Sequence, residues 1–230
     1  MPTAAEIRAI VFDLDGTLYV CERFAAEIQA AAVAYIANLR QISREEAGQL
    51  IAATRQRLTE ESGTVQTISA VCGELGGDIR ELHRLFERTL RPEMHLVRNV
   101  QVIRLLERLK ERYSLYIYTN NNRVLTTRIL NYLGLDCAMS GIFTIEDEWR
   151  SKPDEGMVKR VLEVIGISPQ ETLFVGDRYD VDLRVPEQLG CPVYLCQNLE
   201  QLLRLEELLA PIPNQGAIGV GSSSAPQRTT

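Results

Sequence analysis

Apolar residues along this chain follow two rhythms. Short continuous runs, IRAIVF before Asp13, SLYIY before Thr119, TLFVG before Asp177 and PVYLC before Gln197, each end abruptly in a polar stretch. Runs of that length and composition suit strands buried on both faces of a parallel sheet. A fifth run, GIFTI, precedes Lys152. Between them, apolar residues recur at helical spacing over 100–112, 123–133, 156–165, 183–189 and 199–209. Strand alternating with helix predicts an α/β fold, a Rossmann-like doubly wound parallel sheet.

One connection breaks the rhythm. Residues 18–98 form an 81-residue stretch, whereas a crossover to the next parallel strand needs only about a dozen. The surplus reads as a small all-helical module of about four helices, from the count of helical patterns. Residues 25–40 are apolar at helical spacing, Ser43 with Glu46 forms a capping box before AGQLIAATRQRL, and Asp78 with Glu81 opens LHRLFERTL in the same way. The expected division is a catalytic core at 1–17 and 99–210, a helical cap at 18–98, and a disordered tail at 211–230, where prolines, glycines and serines accumulate without periodicity.

The overall charge narrows the partners. With 31 acidic against 25 basic residues, the net charge is -6, which offers no footprint for a nucleic acid polymer or an anionic membrane. No apolar window approaches the roughly 18 residues of a membrane span. Five scattered cysteines lack paired C-x-x-C spacing and read as small buried hydrophobes in a reducing compartment, so the expected location is the cytoplasm.

In an open parallel sheet, ligands bind outside the carboxyl ends of the strands. Here that edge gathers Asp13, Asp15, Thr119, Asn120, Asp177 and either Asp180 or Asp182. Carboxylates brought that close raise one another's pKa unless a cation offsets them, and a hard divalent ion, Mg²⁺ above all, answers that need. Thr119 and Asn120 offer neutral donors, and Lys152, between the GIFTI run and a helix, can bring an ammonium to the same edge. Carboxylates, Mg²⁺, a lysine and neutral donors make up the equipment for phosphoryl transfer. Two aspartates could then divide the work, Asp13 attacking phosphorus and Asp15 moving protons. An EF-hand reading of the D-x-D-G string fails, because Leu18 stands where the loop glycine belongs and Phe24 where the final glutamate belongs.

The strings DLDGT (Asp13 to Thr17), YIYTN (Thr119), SKP (Lys152) and VGDRYDVD (Asp177 to Asp182) resemble, in order and spacing, the four motifs of the haloacid dehalogenase superfamily. That resemblance implies that Asp13 is the nucleophile and a Mg²⁺ ligand and that Asp15 is the general acid/base and binds metal through its carbonyl. It also implies that Asp177 completes the metal site with Asp182 in support, and that Thr119, Asn120 and Lys152 hold the phosphoryl group. The long helical insertion resembles the family's helical cap.

Other residues discriminate within that family. A haloalkanoic acid dehalogenase has no use for Asp15, and a phosphonatase needs a cap lysine, whereas no lysine falls between Leu18 and Arg98. A phosphomonoesterase acting on a small phosphorylated metabolite is expected; a phosphosugar mutase and a non-catalytic phosphate-binding scaffold are the alternatives. DGTLY and the segments AAEIQAAAVAYI and SREEAGQL bear a weaker likeness to pyrimidine 5′-nucleotidase relatives, which makes a nucleoside monophosphate, beside a sugar phosphate, a candidate substrate. The acidic run Glu146-Asp147-Glu148 reads as a solvated loop with Trp149 as a partly buried anchor, and His83 and His95 as packing or surface residues.

Overall fold

The structure, a computed structural model, describes residues 7–209; the tail expected at 211–230 lies outside them. Five strands, β1 (Ala9–Phe12), β2 (Ser114–Tyr118), β3 (Gly141–Phe143), β4 (Thr172–Gly176) and β5 (Val193–Leu195), form one sheet in the order β3-β2-β1-β4-β5. Every pairing is parallel. The central strand is therefore β1, with Phe12 in register with Ile117 on one side and Val175 on the other. The chain builds outward from β1 through β2 and β3, then returns to β4, so the connections diverge between β1 and β4. A ligand cleft opens outside the strand ends at such a point.

Alternation along β1 explains why both sheet faces are covered. Ile10 and Phe12 join one apolar cluster and Val11 the other, as the period of two demands. The helices that follow are α1 (Glu22–Arg40), α2 (Arg44–Ser62), α3 (Ile68–Glu74), α4 (Ile79–Thr89), α5 (Val100–Leu109), α6 (Arg123–Leu133), α7 (Glu155–Ile165), α8 (Arg184–Gln188), α9 (Leu199–Leu203) and α10 (Leu205–Leu208). Helices α5 and α6 cover the Phe12 face through Leu105, Leu106, Ile129 and Leu130, while α7 covers the Val11 face through Met157, Val158 and Val161.

The insertion holds four helices, α1 to α4. Ser43 and Glu46 form the reciprocal capping box: the Ser43 N–H donates to Glu46 Oε2 at 2.9 Å and the Glu46 N–H to Ser43 Oγ at 3.1 Å. At α4 only half of the expected box forms, since the Asp78 carboxylate accepts from the N–H groups of Arg80 and Glu81 without a return bond from Glu81. Phe24, Ile36, Ile51, Leu82 and Phe86 from the insertion belong to the same apolar cluster as Phe12 and Leu125. Among the described residues no helix is long and apolar enough to cross a membrane, and the five cysteines are all free.

Some boundaries differ from the periodic pattern. Residues 179–183 form a π-helical turn before α8, and the pattern over 199–209 divides at Arg204 into α9 and α10.

Candidate active site

The end of β1 delivers Asp13, and the chain then folds back on itself. The Gly16 N–H donates to the Tyr19 carbonyl at 2.9 Å, with Gly16 at φ +93°. A Cβ at Gly16 would lie 2.5 Å from Asp177 Oδ2, so only glycine fits both the left-handed turn and the close approach of that carboxylate. The turn brings the Tyr19 hydroxyl onto Asp15 Oδ1.

Asp13 and Lys152 meet at the centre of the sheet edge. Lys152 is 2% exposed, and its Nζ donates to Asp13 Oδ1 at 2.5 Å, to Asp182 Oδ1 at 2.6 Å and to the Tyr118 carbonyl at 2.9 Å. An ammonium has three N–H donors, so all are committed. Asp182 Oδ2 accepts from the Arg178 N–H at 3.2 Å. A Cβ at Gly176 would fall 2.5 Å from Asp182 Cβ, which is how the chain after β4 tucks that residue inward. Asp180 instead sits 3.9 Å from Arg184, half exposed; of the two candidates the structure brings Asp182 into the cluster.

After β2 the three asparagines take separate tasks. Asn120 Oδ1 accepts from the Lys152 N–H at 2.7 Å, which ties the lysine's loop to the strand end. Asn121 Nδ2 donates to Asp15 Oδ2 at 2.6 Å. Asn122 caps α6 by accepting from the Leu125 N–H at 2.7 Å and donates to the His83 carbonyl on α4 at 2.9 Å. Thr119 is buried beside them and its Oγ1 accepts from the Asn121 N–H at 3.2 Å. Asp15 is thus held on both oxygens, apart from the Asp13–Lys152 pair.

Burial dominates the electrostatics. It pushes the Asp13 carboxyl up to about 7 against the pull of Lys152, and lifts Asp15 as well against the hydrogen bond from Tyr19. Asp177 is raised to about 6, by burial first and then by the Asp182 charge. Lys152 is driven the opposite way from a buried lysine: loss of water would lower it, but the charges of Asp13 and Asp182 hold it well above its ordinary value.

Oxygens of Asp13, Asp177 and Asp182 lie within 4.8 Å of one another. Asp177 Oδ1 is buried without a hydrogen-bond partner, and Gly16 leaves its approach free of a side chain. Three converging carboxylates, one with an orphaned oxygen, fit a hard divalent cation.

Tyr19 and Asn121, the two residues that grip Asp15, and Arg178, whose Nε lies 3.7 Å from Asp177 and 3.9 Å from Asp182, lie outside the set expected from sequence. Asn121 is the neighbour of an expected residue, and only the turn geometry tells which amide faces the carboxylate. Glu146 and Asp147 stay out of the cleft: Glu146 accepts from the Arg123 N–H at the start of α6, and Asp147 binds the Arg123 guanidinium. Trp149 is half-buried, with the Arg80 guanidinium of α4 5.2 Å from its ring centre. His83 is buried against Ser69, and His95 pairs with Glu27 at 3.1 Å.

A family model described as haloacid dehalogenase-like hydrolase matches residues 7–190. A glyceraldehyde 3-phosphate phosphatase of Methanocaldococcus jannaschii is 24% identical over 196 residues, which cover 80% of this chain and 82% of that protein. The pyrophosphatase PpaX of Bacillus velezensis is 27% identical over 180 residues, 77% of each chain. Among solved structures, a HAD phosphatase from Thermococcus onnurineus shares the fold with a TM-score of 0.62 at 21% identity, over 89% of this chain and 99% of that one. The HAD-hydrolase YfnB from Bacillus subtilis, bound to magnesium, does so with a TM-score of 0.56 at 23% identity, over 87% and 99%.

Proposed function

The chain belongs to the haloacid dehalogenase-like hydrolases, and we propose that within this family it is a Mg²⁺-dependent phosphatase that works through an aspartyl-phosphate on Asp13. The observation that carries this reading is the separation of two aspartates, Asp13 buried and Asp15 half-buried, by their partners. Asp13 is paired with the Lys152 ammonium, whereas Asp15, two residues on, is gripped by the neutral donors Tyr19 and Asn121. Burial raises both carboxyls; the Lys152 ammonium offsets that burial at Asp13 and favours an ionised nucleophile, while Asp15 stands apart from that direct ion pair, placed to move protons.

In the first half-reaction an Asp13 oxygen attacks phosphorus, the bond to the ester oxygen breaks, and Asp15 delivers its proton to that leaving oxygen. In the second, the Asp15 carboxylate takes a proton from water, the water oxygen attacks phosphorus, and the bond to Asp13 breaks to release phosphate. Lys152 stays beside Asp13 throughout, and Thr119 and Asn120 flank the place of the phosphoryl oxygens. Asp13, Asp177 and Asp182, with the main-chain carbonyl of Asp15, would hold Mg²⁺, which when bound supplies positive charge against the phosphoryl oxygens and against the crowded carboxylates. The four-helix insertion acts as a cap that limits water and selects the substrate, a small phosphorylated metabolite.

Phosphate release from a panel of small phosphate esters tests the reading. Asp13→Asn lowers turnover by about 10³-fold or more, and a chelator abolishes activity until Mg²⁺ is restored. Full activity in either case would refute the mechanism.

A further inference from the structure

Beside the catalytic carboxylates, between the cap and the strand ends, lies a cleft of about 290 Å³ lined by Gln29, Arg55, Gln66, Ser69, Asn121 and Arg178, among others. None of its lining residues is an aspartate or a glutamate. Arg178 is already engaged with Asp177 and Asp182. Arg55, from α2, is not engaged with any acid among the described residues. Among the described residues its one hydrogen-bond partner is Gln29 Oε1, 3.2 Å from Nη2, and its Nε is buried with no partner at all. A half-buried guanidinium with an orphaned N–H and no carboxylate is a costly arrangement unless something anionic completes it.

The catalytic carboxylates do not supply it. Among the described residues no hydrogen bond or ion pair joins Arg55 to Asp13, Asp15, Asp177 or Asp182; Gln29 is its one partner. Arg55 therefore addresses the part of a ligand that lies beyond the phosphoryl group. The cleft is at the small end of ligand pockets. Its two ring-bearing lining residues, His83 and Phe86, are each 2% exposed, so no aromatic face is offered to a nucleobase.

We propose that Arg55 is a specificity residue that receives a second anionic group of the substrate, a carboxylate or a further phosphate, so that the enzyme favours short doubly anionic phosphates over phosphate esters of uncharged alcohols. This rests on the phosphatase reading above. A guanidinium forks onto either oxyanion with two N–H donors. The neutral lining, Gln29, Gln66 and Ser69, leaves no competing charge.

The test compares kcat/KM for phosphoglycolate, inorganic pyrophosphate, glycerol 3-phosphate and phenyl phosphate in the wild type, Arg55→Gln and Arg55→Lys. The wild type is expected to prefer phosphoglycolate or pyrophosphate to glycerol 3-phosphate at least tenfold; which of the two is preferred identifies the second group. Arg55→Gln should cut that preference by about tenfold to a hundredfold, the range of a charge-assisted hydrogen bond, and Arg55→Lys should retain part of it. A wild type without the preference, or an Arg55→Gln preference within threefold of the wild type, would overturn the assignment. If Arg55→Gln fails to fold, the Arg55→Lys preference decides, since loss of the fork alone should reduce it by more than threefold. Hydrolysis of none of the four by the wild type would refute the phosphatase reading instead. Calorimetric binding of phosphoglycolate would then still decide on Arg55, with a tenfold weaker Kd in Arg55→Gln supporting the assignment and an unchanged Kd overturning it.

Discussion

The strand-edge site and the cap-side cleft adjoin, yet they are built on opposite plans. At the strand edge almost every polar atom is answered by another: all three Lys152 N–H groups are bonded, both Asp15 oxygens are held, and both Asp182 oxygens accept. The exceptions there are Asp177 Oδ1, on a residue of the carboxylate cluster, with Asn120 Nδ2 and the Tyr118 hydroxyl, each buried without a partner. In the cleft, Arg55 keeps a buried donor unanswered and meets no acid among the described residues. The contrast separates two demands: chemistry needs groups fixed before substrate arrives, whereas selectivity uses groups whose partner is the substrate itself.

The interlocked strand edge is most exposed to disruption at Lys152. Lys152→Met leaves Asp13 and Asp182 buried without their shared cation, and removing one partner of a buried ion pair costs about 3–5 kcal/mol. Urea unfolding in the presence of a chelator should show that loss at pH 8, and a smaller one at pH 5, where protonation of Asp13, which burial raises to about 7, relieves the unpaired site. A loss below about 1 kcal/mol would mean that the ammonium is dispensable to the fold and that the strand edge is less interlocked than its hydrogen bonds indicate.

A gentler probe lies on the cap side. Burial lowers the His83 imidazole to about 4, so the folded protein resists a proton that the unfolded chain accepts below about 6.5. The stabilisation is complete above about 6.5 and is lost as pH falls toward 4, at no more than about 1.4 kcal/mol per pH unit. Raised carboxylates such as Asp177 act in the opposite sense, gaining stability as pH falls. The informative quantity is thus the difference between the wild type and His83→Asn: its slope over pH 4 to 6.5 should equal the histidine's share, and parallel curves would show that His83 titrates alike in both states.

The strand edge was largely legible in the chain, and the cleft was not. Asp13, Asp15, Thr119, Lys152 and Asp177 each follow an apolar run or a short motif, so local sequence announces both the strand and the residue at its end. The capping box of Ser43 and Glu46 marked α2 for the same reason, being a signal contained within four residues. Asn121 escaped because three consecutive asparagines differ only in the direction that the turn gives each amide. Tyr19 reaches Asp15 only through the reversal at Gly16, and Arg178 depends on the π-helical turn after β4. Arg55 could not be singled out among the basic residues of the insertion, since what distinguishes it is a carboxylate it lacks, and that follows from how α2 faces the core.

A covalent bond to Asp13 separates an aspartyl-phosphate route from direct attack by water. Borohydride added to the enzyme during turnover of a hydrolysed ester in the presence of Mg²⁺ would reduce an aspartyl-phosphate to homoserine, which mass spectrometry can place in the sequence. We predict homoserine at position 13 and at no other aspartate, and none when substrate is omitted. Steady release of phosphate with Asp13 left intact under the same quench would contradict the central claim and point to direct attack by water.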